Sequence, residues 1–326
     1  MTERKKKKAA SPMRAKGKTK PGTHRPVLER EVLEKLSPCP GETAADCTLG
    51  YGGHARKIME RLGEDGLLFG FDIDSQELEK TKMRLSSVKC RFWGINRNFR
   101  FIKETLSEAE ISGFDLILAD LGVSSMQVDN PKRGISYKAD GPLDMRMDTR
   151  LELTGEKILR EYPEEKLSEI FDKYSDEPDH KQIASLIAGQ RKAFPLTNVN
   201  ELIDLVLNAK GYSRNTWQKQ NKKNPFGSSH PAARVFQALR IEVNDELGAL
   251  SDLLKAAPDL LNPGGRIGII SFHQGEDRLV KQALRKGLDE GIYSSISKKA
   301  ALPAPKEITQ NPRSSSAKFR WAVRSK

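Results

Sequence analysis

No apolar run in this 326-residue chain approaches the roughly 18 residues that a membrane-spanning helix requires, and its lysine-rich start has no hydrophobic segment behind it. The expectation is a protein neither secreted nor membrane-embedded. Cysteine is scarce. Cys39, Cys47 and Cys90 are odd in number and lack metal-ligand spacing, which argues for a reducing cytoplasm and predicts no metal. Acid is nearly missing from both ends: residues 1 to 22 hold nine Lys or Arg against one Glu, and residues 312 to 326 hold five and no acid. The net charge of +12 therefore leaves −1 for everything between. A near-neutral body with two cationic ends suits chemistry on a polyanion, and nucleic acid is the polyanion this suggests.

Between the ends, Asp46-Cys47-Thr48-Leu49-Gly50-Tyr51-Gly52-Gly53-His54-Ala55 is followed one helix later by the apolar run Leu67 to Phe71 and then Asp72. Strand, glycine turn, helix and a second strand ending in an acid form the grip of an α/β sheet on an adenosine-containing cofactor. The turn frees the N–H groups of the next helix, and the acid can accept bonds from both ribose hydroxyls. Read alone, Gly50 to Ala55 also fits the dinucleotide fingerprint, leaving an NAD-dependent oxidoreductase open. Further apolar segments, Cys90 to Ile95, Phe114 to Ala119 and Arg266 to Phe272, predict three more strands. The last follows Leu261-Asn262-Pro263-Gly264-Gly265, read as a turn that stops a helix and restarts the chain as a strand, as in S-adenosylmethionine-dependent methyltransferases. Strands alternating with helices predict a mostly parallel sheet covered on both faces.

With these pieces placed, residues 24 to 324 resemble the RsmH (MraW) family, S-adenosylmethionine-dependent enzymes that methylate the exocyclic N4 of a cytidine in small-subunit (16S) ribosomal RNA. The resemblance is carried by His24 to Leu28, Gly52-Gly53-His54, Asp120 to Ser125, Gly141 to Asp148, His230-Pro231-Ala232, Phe236 to Ile241, Ser271-Phe272-His273, Glu276-Asp277-Arg278 and Asn311 to Ser314. It implies a class I, Rossmann-like methyltransferase fold, S-adenosyl-L-methionine as cofactor, and cofactor contacts at Gly52, Gly53, His54, Asp72, Phe99, Asp120 and Gln127. It also implies a substrate presented on the small ribosomal subunit. Three departures stand out. Ser125-Met126-Gln127 replaces the usual Ser-Pro-Gln, Gln274-Gly275 replaces Ser-Leu before Glu276, and Arg278 to Asn311 is short; all are expected on the loops that follow the fourth and fifth strands, where the target base should enter.

The chemistry needs an acceptor for an amino proton, because the cytosine amino lone pair is delocalised into its ring. Asp120, ending the fourth strand, is the first candidate; His273 is a second catalytic candidate, and Tyr137, Phe272 and His273 are candidates to stack on the base. The short Asp/Asn/Ser-Pro-Pro-aromatic motif of many amino methyltransferases is absent. A non-catalytic or retargeted ribosome-assembly factor is the alternative reading. The expected organisation is a basic tail (1–22), a cofactor half (23–128), a helical lid or RNA-contact insertion (129–229) and a second half of the sheet (230–326). Within it we expect a basic mobile loop at 212–229, one long helix from Pro231 to Leu261 with Gln237, Arg240 and Asn244 on a polar face, and a final strand, Phe319 to Val323, at an antiparallel edge. Sequence does not fix the oligomeric state.

Overall fold

The computed structural model describes residues 25–223 and 230–326, so the tail at 1–22 and part of the loop at 212–229 lie outside the described residues. Helix α1 (Glu29–Leu36) leads into β1 (Thr43–Asp46), α2 (Gly53–Leu62), β2 (Leu67–Phe71), α3 (Ser75–Leu85), β3 (Arg91–Ile95), α4 (Ile102–Glu108) and β4 (Phe114–Asp120). Helices α5 (Ser125–Asp129), α6 (Gly155–Glu161), α7 (Glu164–Ser175), α8 (His180–Gln190), α9 (Val199–Ala209) and α10 (Arg214–Lys223) follow. Then α11 (Ala233–Asn244) and α12 (Glu246–Leu260) return the chain to β5 (Leu261–Ser271), α13 (Gln274–Asp289), β6 (Tyr293–Ile296), α14 (Pro305–Gln310) and β7 (Lys318–Arg324).

The strands form one sheet in the order β3-β2-β1-β4-β5-β7-β6. β1 to β5 run parallel, and β7 is antiparallel to both its neighbours. The order in which successive strands are added to the sheet reverses between β1 and β4, and the crevice for a ligand opens there, above the carboxyl ends of the strands. Alternation along the strands divides the core. Ala44, Leu68 and Leu116 face a layer made by α1, α2 and α3, whereas Ala45, Phe69 and Ile117 face α4, α12 and α13. Burial on both faces is why β2 reads as the unbroken run Leu-Leu-Phe-Gly-Phe, and each of its fully buried phenylalanines contributes about 1.5–3 kcal/mol. The helical insertion after β4 has its own core, in which Leu167, Ile170, Ile183, Val199 and Leu202 meet Val235 and Phe236 of α11. Asn198 and Glu201 form a capping box that starts α9.

Four expectations change. The helix expected from Pro231 to Leu261 is two helices, broken at Asp245, which takes φ 47°. Aspartate tolerates this left-handed geometry, and the break lets α11 pack into the insertion while α12 packs on the sheet. The polar face of α11 is consequently engaged: the Gln237 Nε2 donates to the Tyr174 carbonyl at 3.0 Å, and Arg240 makes paired bonds to Glu246 at 2.7 and 3.0 Å. Part of the expected loop at 212–229 is α10, and Trp217 turns inward against Tyr212 and His230, because an indole ring gains more from that cluster than from solvent. The Pro263-Gly264-Gly265 turn lies inside β5 as an irregularity, with Leu261 paired to Phe114 and Arg266 to Leu116. Finally, β7 is an interior strand: Phe319 and Ala322 are fully buried on opposite faces, whereas half-exposed β6 takes the edge.

The cationic C-terminal end is likewise part of the fold. Arg313 pairs with Asp129 at 2.8 Å, Lys318 and Arg320 both pair with Asp277, and Arg324 donates to the carbonyls of Pro258 and Leu261. These four side chains are thus held by acids and carbonyls of the fold.

Candidate active site

A cleft of about 2180 Å³ opens above the carboxyl ends of β1, β2 and β4. Three of those strands deliver an aspartate to it: Asp46 is the last residue of β1, Asp72 follows β2, and Asp120 is the last residue of β4. The sequence reading placed Asp72 and Asp120 and missed Asp46, although the same strand-end position was the available signal.

Asp72 holds the glycine turn. Its Oδ2 accepts the Gly50 N–H at 3.0 Å and its Oδ1 the Asp74 N–H at 2.8 Å. Burial, opposed by those bonds and reinforced by the charge of Asp74, raises its pKa to about 6. Gly52 has φ 82°, and a Cβ there would stand 2.7 Å from the Thr81 methyl. Only glycine fits, so Gly52 makes the turn and lies behind the cleft, whereas Gly53 and His54 line it. The turn delivers the amino end of α2 to the cleft, where unpaired backbone N–H groups favour an anionic group.

His54 is buried, and its ring bonds the Val27 carbonyl, with burial lowering its pKa to about 4. It is therefore neutral at physiological pH. Its Nε2 has no hydrogen-bond partner and stands 3.7 Å from Oδ2 of Asp120, whose Oδ1 is also unpartnered. Burial first, then the charges of Asp46 and Glu276, push the Asp120 carboxyl well above the ordinary range. Asp46 is raised to about 7, by burial against a bond from the Thr48 N–H and with the charge of Asp72 adding to it. Thr48 links the two acids, since its Oγ1 accepts the Asp120 N–H at 2.6 Å.

Phe99 and Gln127, also expected to touch a cofactor, line the same cleft. Phe99 follows β3 in a short 3-10 turn capped by Asn98, lines the cleft and rests on the apolar layer beneath. Gln127 closes the loop after β4: its Oε1 accepts the Ser124 N–H at 3.1 Å, and its own N–H donates to Ser124 Oγ at 3.2 Å. His273 lies beside the cleft wall and serves the helix that follows it. It caps α13, its ring reaching the Glu276 N–H at 3.4 Å while Glu276 accepts the Phe272 and His273 N–H groups, and it does not line the cleft. Its Nδ1 serves the helix end, while its Nε2 stands 3.2 Å from Glu276 Oε1 without a hydrogen-bond partner. Tyr137 is stacked on His230 at 4.8 Å, away from the cleft, so Phe272 is the aromatic candidate that remains there. The Gln274-Gly275 departure falls in the first turn of α13, outside the cleft; Met126 lines it.

Arg133, which the sequence did not single out, and Asn244, from the expected polar face of α11, fasten the wall opposite the strands. Arg133 bonds the carbonyls of Arg146 and Met147 and pairs with Asp74 at 2.6 Å. Asn244 donates to the Met145 carbonyl at 2.8 Å and accepts the Met147 N–H at 2.7 Å. The block Gly141 to Asp148 is thereby clasped to both halves of the sheet domain. A Cβ on Gly141 would collide with the Pro131 carbonyl at 2.0 Å, which explains the glycine.

Among the described residues no helix is long and apolar enough to cross a membrane, and no cluster of His, Cys, Asp or Glu could hold a metal ion. The model of the MraW methylase family matches residues 22–325. Ribosomal RNA small subunit methyltransferase H 1 of Agathobacter rectalis is 40% identical over 317 residues, covering 95% of this chain and 88% of that protein. Ribosomal RNA small subunit methyltransferase H of Clostridioides difficile is 38% identical over 314 residues, covering 92% and 98%. The Geobacter sulfurreducens protein of the same name is 39% identical over 315 residues, again covering 92% and 98%.

Proposed function

This chain belongs to the MraW methylase family, and on that premise we propose that it transfers a methyl group from S-adenosyl-L-methionine to the N4 of a cytidine in 16S ribosomal RNA, acting in the cytoplasm on the small subunit. The observation that carries the reading is the pair of buried, unpartnered atoms at the floor of the cleft, His54 Nε2 and Asp120 Oδ1, beside a turn that only glycine can make. Orphaned polar atoms in a dry site are costly unless a ligand completes them.

The residues fit the cofactor. Asp72 is placed to bind ribose hydroxyls, Phe99 to pack on adenine, and Gly53, His54 and Gln127 to hold the amino-acid end against the amino terminus of α2. When bound, S-adenosylmethionine supplies a methyl group on a positively charged sulfonium, so no covalent protein nucleophile is needed, and buried Cys47 serves packing. Asp120 accepts a hydrogen bond from the amino group of the target, draws its lone pair out of the ring and takes the proton released. Neutral His54 and the hydrogen-bonded Thr48 keep Asp120 aimed at that point. Phe272 gives the base a face to stack on, and the base must be single-stranded or turned out of its helix to reach it. The insertion, clasped by Arg133 and Asn244, forms the wall that excludes water and meets the RNA.

The test is methyl transfer by the purified chain to small subunits that lack the modification. N4-methylcytidine in the digested RNA supports the reading; incorporation at another atom overturns the N4 assignment, and no incorporation overturns the substrate.

A further inference from the structure

We propose that the outer groove along α13 holds the RNA phosphate backbone beside the target nucleotide, with Arg278 and Lys281 as its anion-binding groups; the inference rests on the reading of the chain as an RNA methyltransferase. The groove, about 750 Å³, is bounded by Gln274, Arg278, Lys281, Arg285 and Lys286 on α13 and by Lys318 on β7. Most cations around it are already neutralised. Arg285 pairs with Asp289 at 3.1 Å, Lys286 with Glu290 at 3.6 Å, and Lys318 with Asp277 at 3.3 Å. Arg278 and Lys281 are exposed and have no acid partner among the described residues. Three residues apart on one helix, they stand side by side on one face.

Arg278 and Lys281 are the fifth and eighth residues of α13, beyond the first turn where the helix macrodipole acts, so helix electrostatics do not account for them. Their location beside the cleft does. Phe272 and Glu276 line the cleft, while Gln274 and Asp277 line the groove, so both concavities border the start of α13. A strand whose base enters the cleft past Phe272 leaves over Arg278 and Lys281. With Arg313, Lys318, Arg320 and Arg324 held by the fold, these two supply positive charge beside the cleft.

The experiment measures binding of the full chain to small ribosomal subunits as salt is varied, for the wild type and for Arg278→Ala/Lys281→Ala. Losing two contacts to single-stranded RNA should flatten log K against log salt by about 1.4, or roughly 25-fold in affinity at 0.1 M salt if both proteins bind alike at 1 M. S-adenosylmethionine affinity, read by calorimetry, should stay within about twofold, which also reports that the double variant is folded. The charge-retaining Arg278→Lys/Lys281→Arg should keep the wild-type slope. A double variant with unchanged slope and affinity overturns the groove while leaving the methyltransferase reading intact. A wild-type chain that neither binds nor methylates the subunit overturns both.

Discussion

His54 Nε2 stands 3.7 Å from Asp120 Oδ2, and neither His54 Nε2 nor the second oxygen of Asp120 has a hydrogen-bond partner. Burial lowers the pKa of His54 to about 4 and, with the charges of Asp46 and Glu276 adding to it, raises that of Asp120 well above the ordinary range. A positive charge bound in the cleft would favour the ionised form of Asp120, the form that can accept an amino proton.

Asp120→Asn should accordingly lower kcat more than it weakens cofactor binding, since the carboxylate matters most as positive charge develops on the attacking nitrogen. In the wild type, kcat/KM should fall as pH is lowered, with a midpoint above the ordinary aspartate range. Parallel loss of rate and cofactor affinity in the variant would make Asp120 a binding residue only.

Asp72→Ala should reduce S-adenosylmethionine affinity by at least about a hundredfold, because two charge-assisted bonds of about 1.5–3 kcal/mol each are lost and the Gly50 N–H loses its acceptor. Calorimetric binding within threefold of wild type sinks the ribose assignment.

Asp46 gives a stability test with a definite sign. Its folded pKa, about 7, lies above the unfolded value of 3.8, so the folded state binds the extra proton between those limits. Its contribution is full below about pH 4 and is lost as pH rises towards 7. Asp46→Asn, which can still accept the Thr48 N–H, should therefore gain in melting temperature over the wild type as pH rises from 4 to 8. A difference that does not change with pH contradicts the buried, protonated Asp46.

Asn244→Ala removes both bonds to the Gly141 to Asp148 block and leaves a backbone N–H and a carbonyl without their partner. The expected cost is about 1–3 kcal/mol in urea unfolding, together with a raised KM for RNA at nearly unchanged cofactor affinity. Unaltered stability and KM would mean the clasp is held by Arg133 alone.

The sheet was legible because parallel strands buried on both faces leave continuous apolar runs, and Leu67 to Phe71 and Phe114 to Ala119 do so. The glycine turn and Asp72 were legible because their geometry is local. Asp46 was within reach, yet its acid sits in a short strand whose Thr-Ala-Ala carries little apolar signal. Asp245 was not legible: the periodicity of α11 continues into α12, and only the packing of Phe236 into one core and Leu250 into another shows the break. His273 stayed open to two readings because a histidine just before a helix reads the same whether it meets a substrate or caps that helix. Arg133 and Asn244 act on backbone atoms about 13 and 100 positions away, and nothing in the linear order joins them to those partners.

The most direct measurement is a mass-spectrometric nucleoside map of 16S ribosomal RNA from a strain lacking this gene, compared with the same strain carrying the wild-type gene or Asp120→Asn. The account predicts one N4-methylated cytidine lost on deletion, restored by the wild type and not restored by Asp120→Asn. Retention of every N4-methylcytidine in the deletion strain, with a methyl group missing elsewhere, would contradict it.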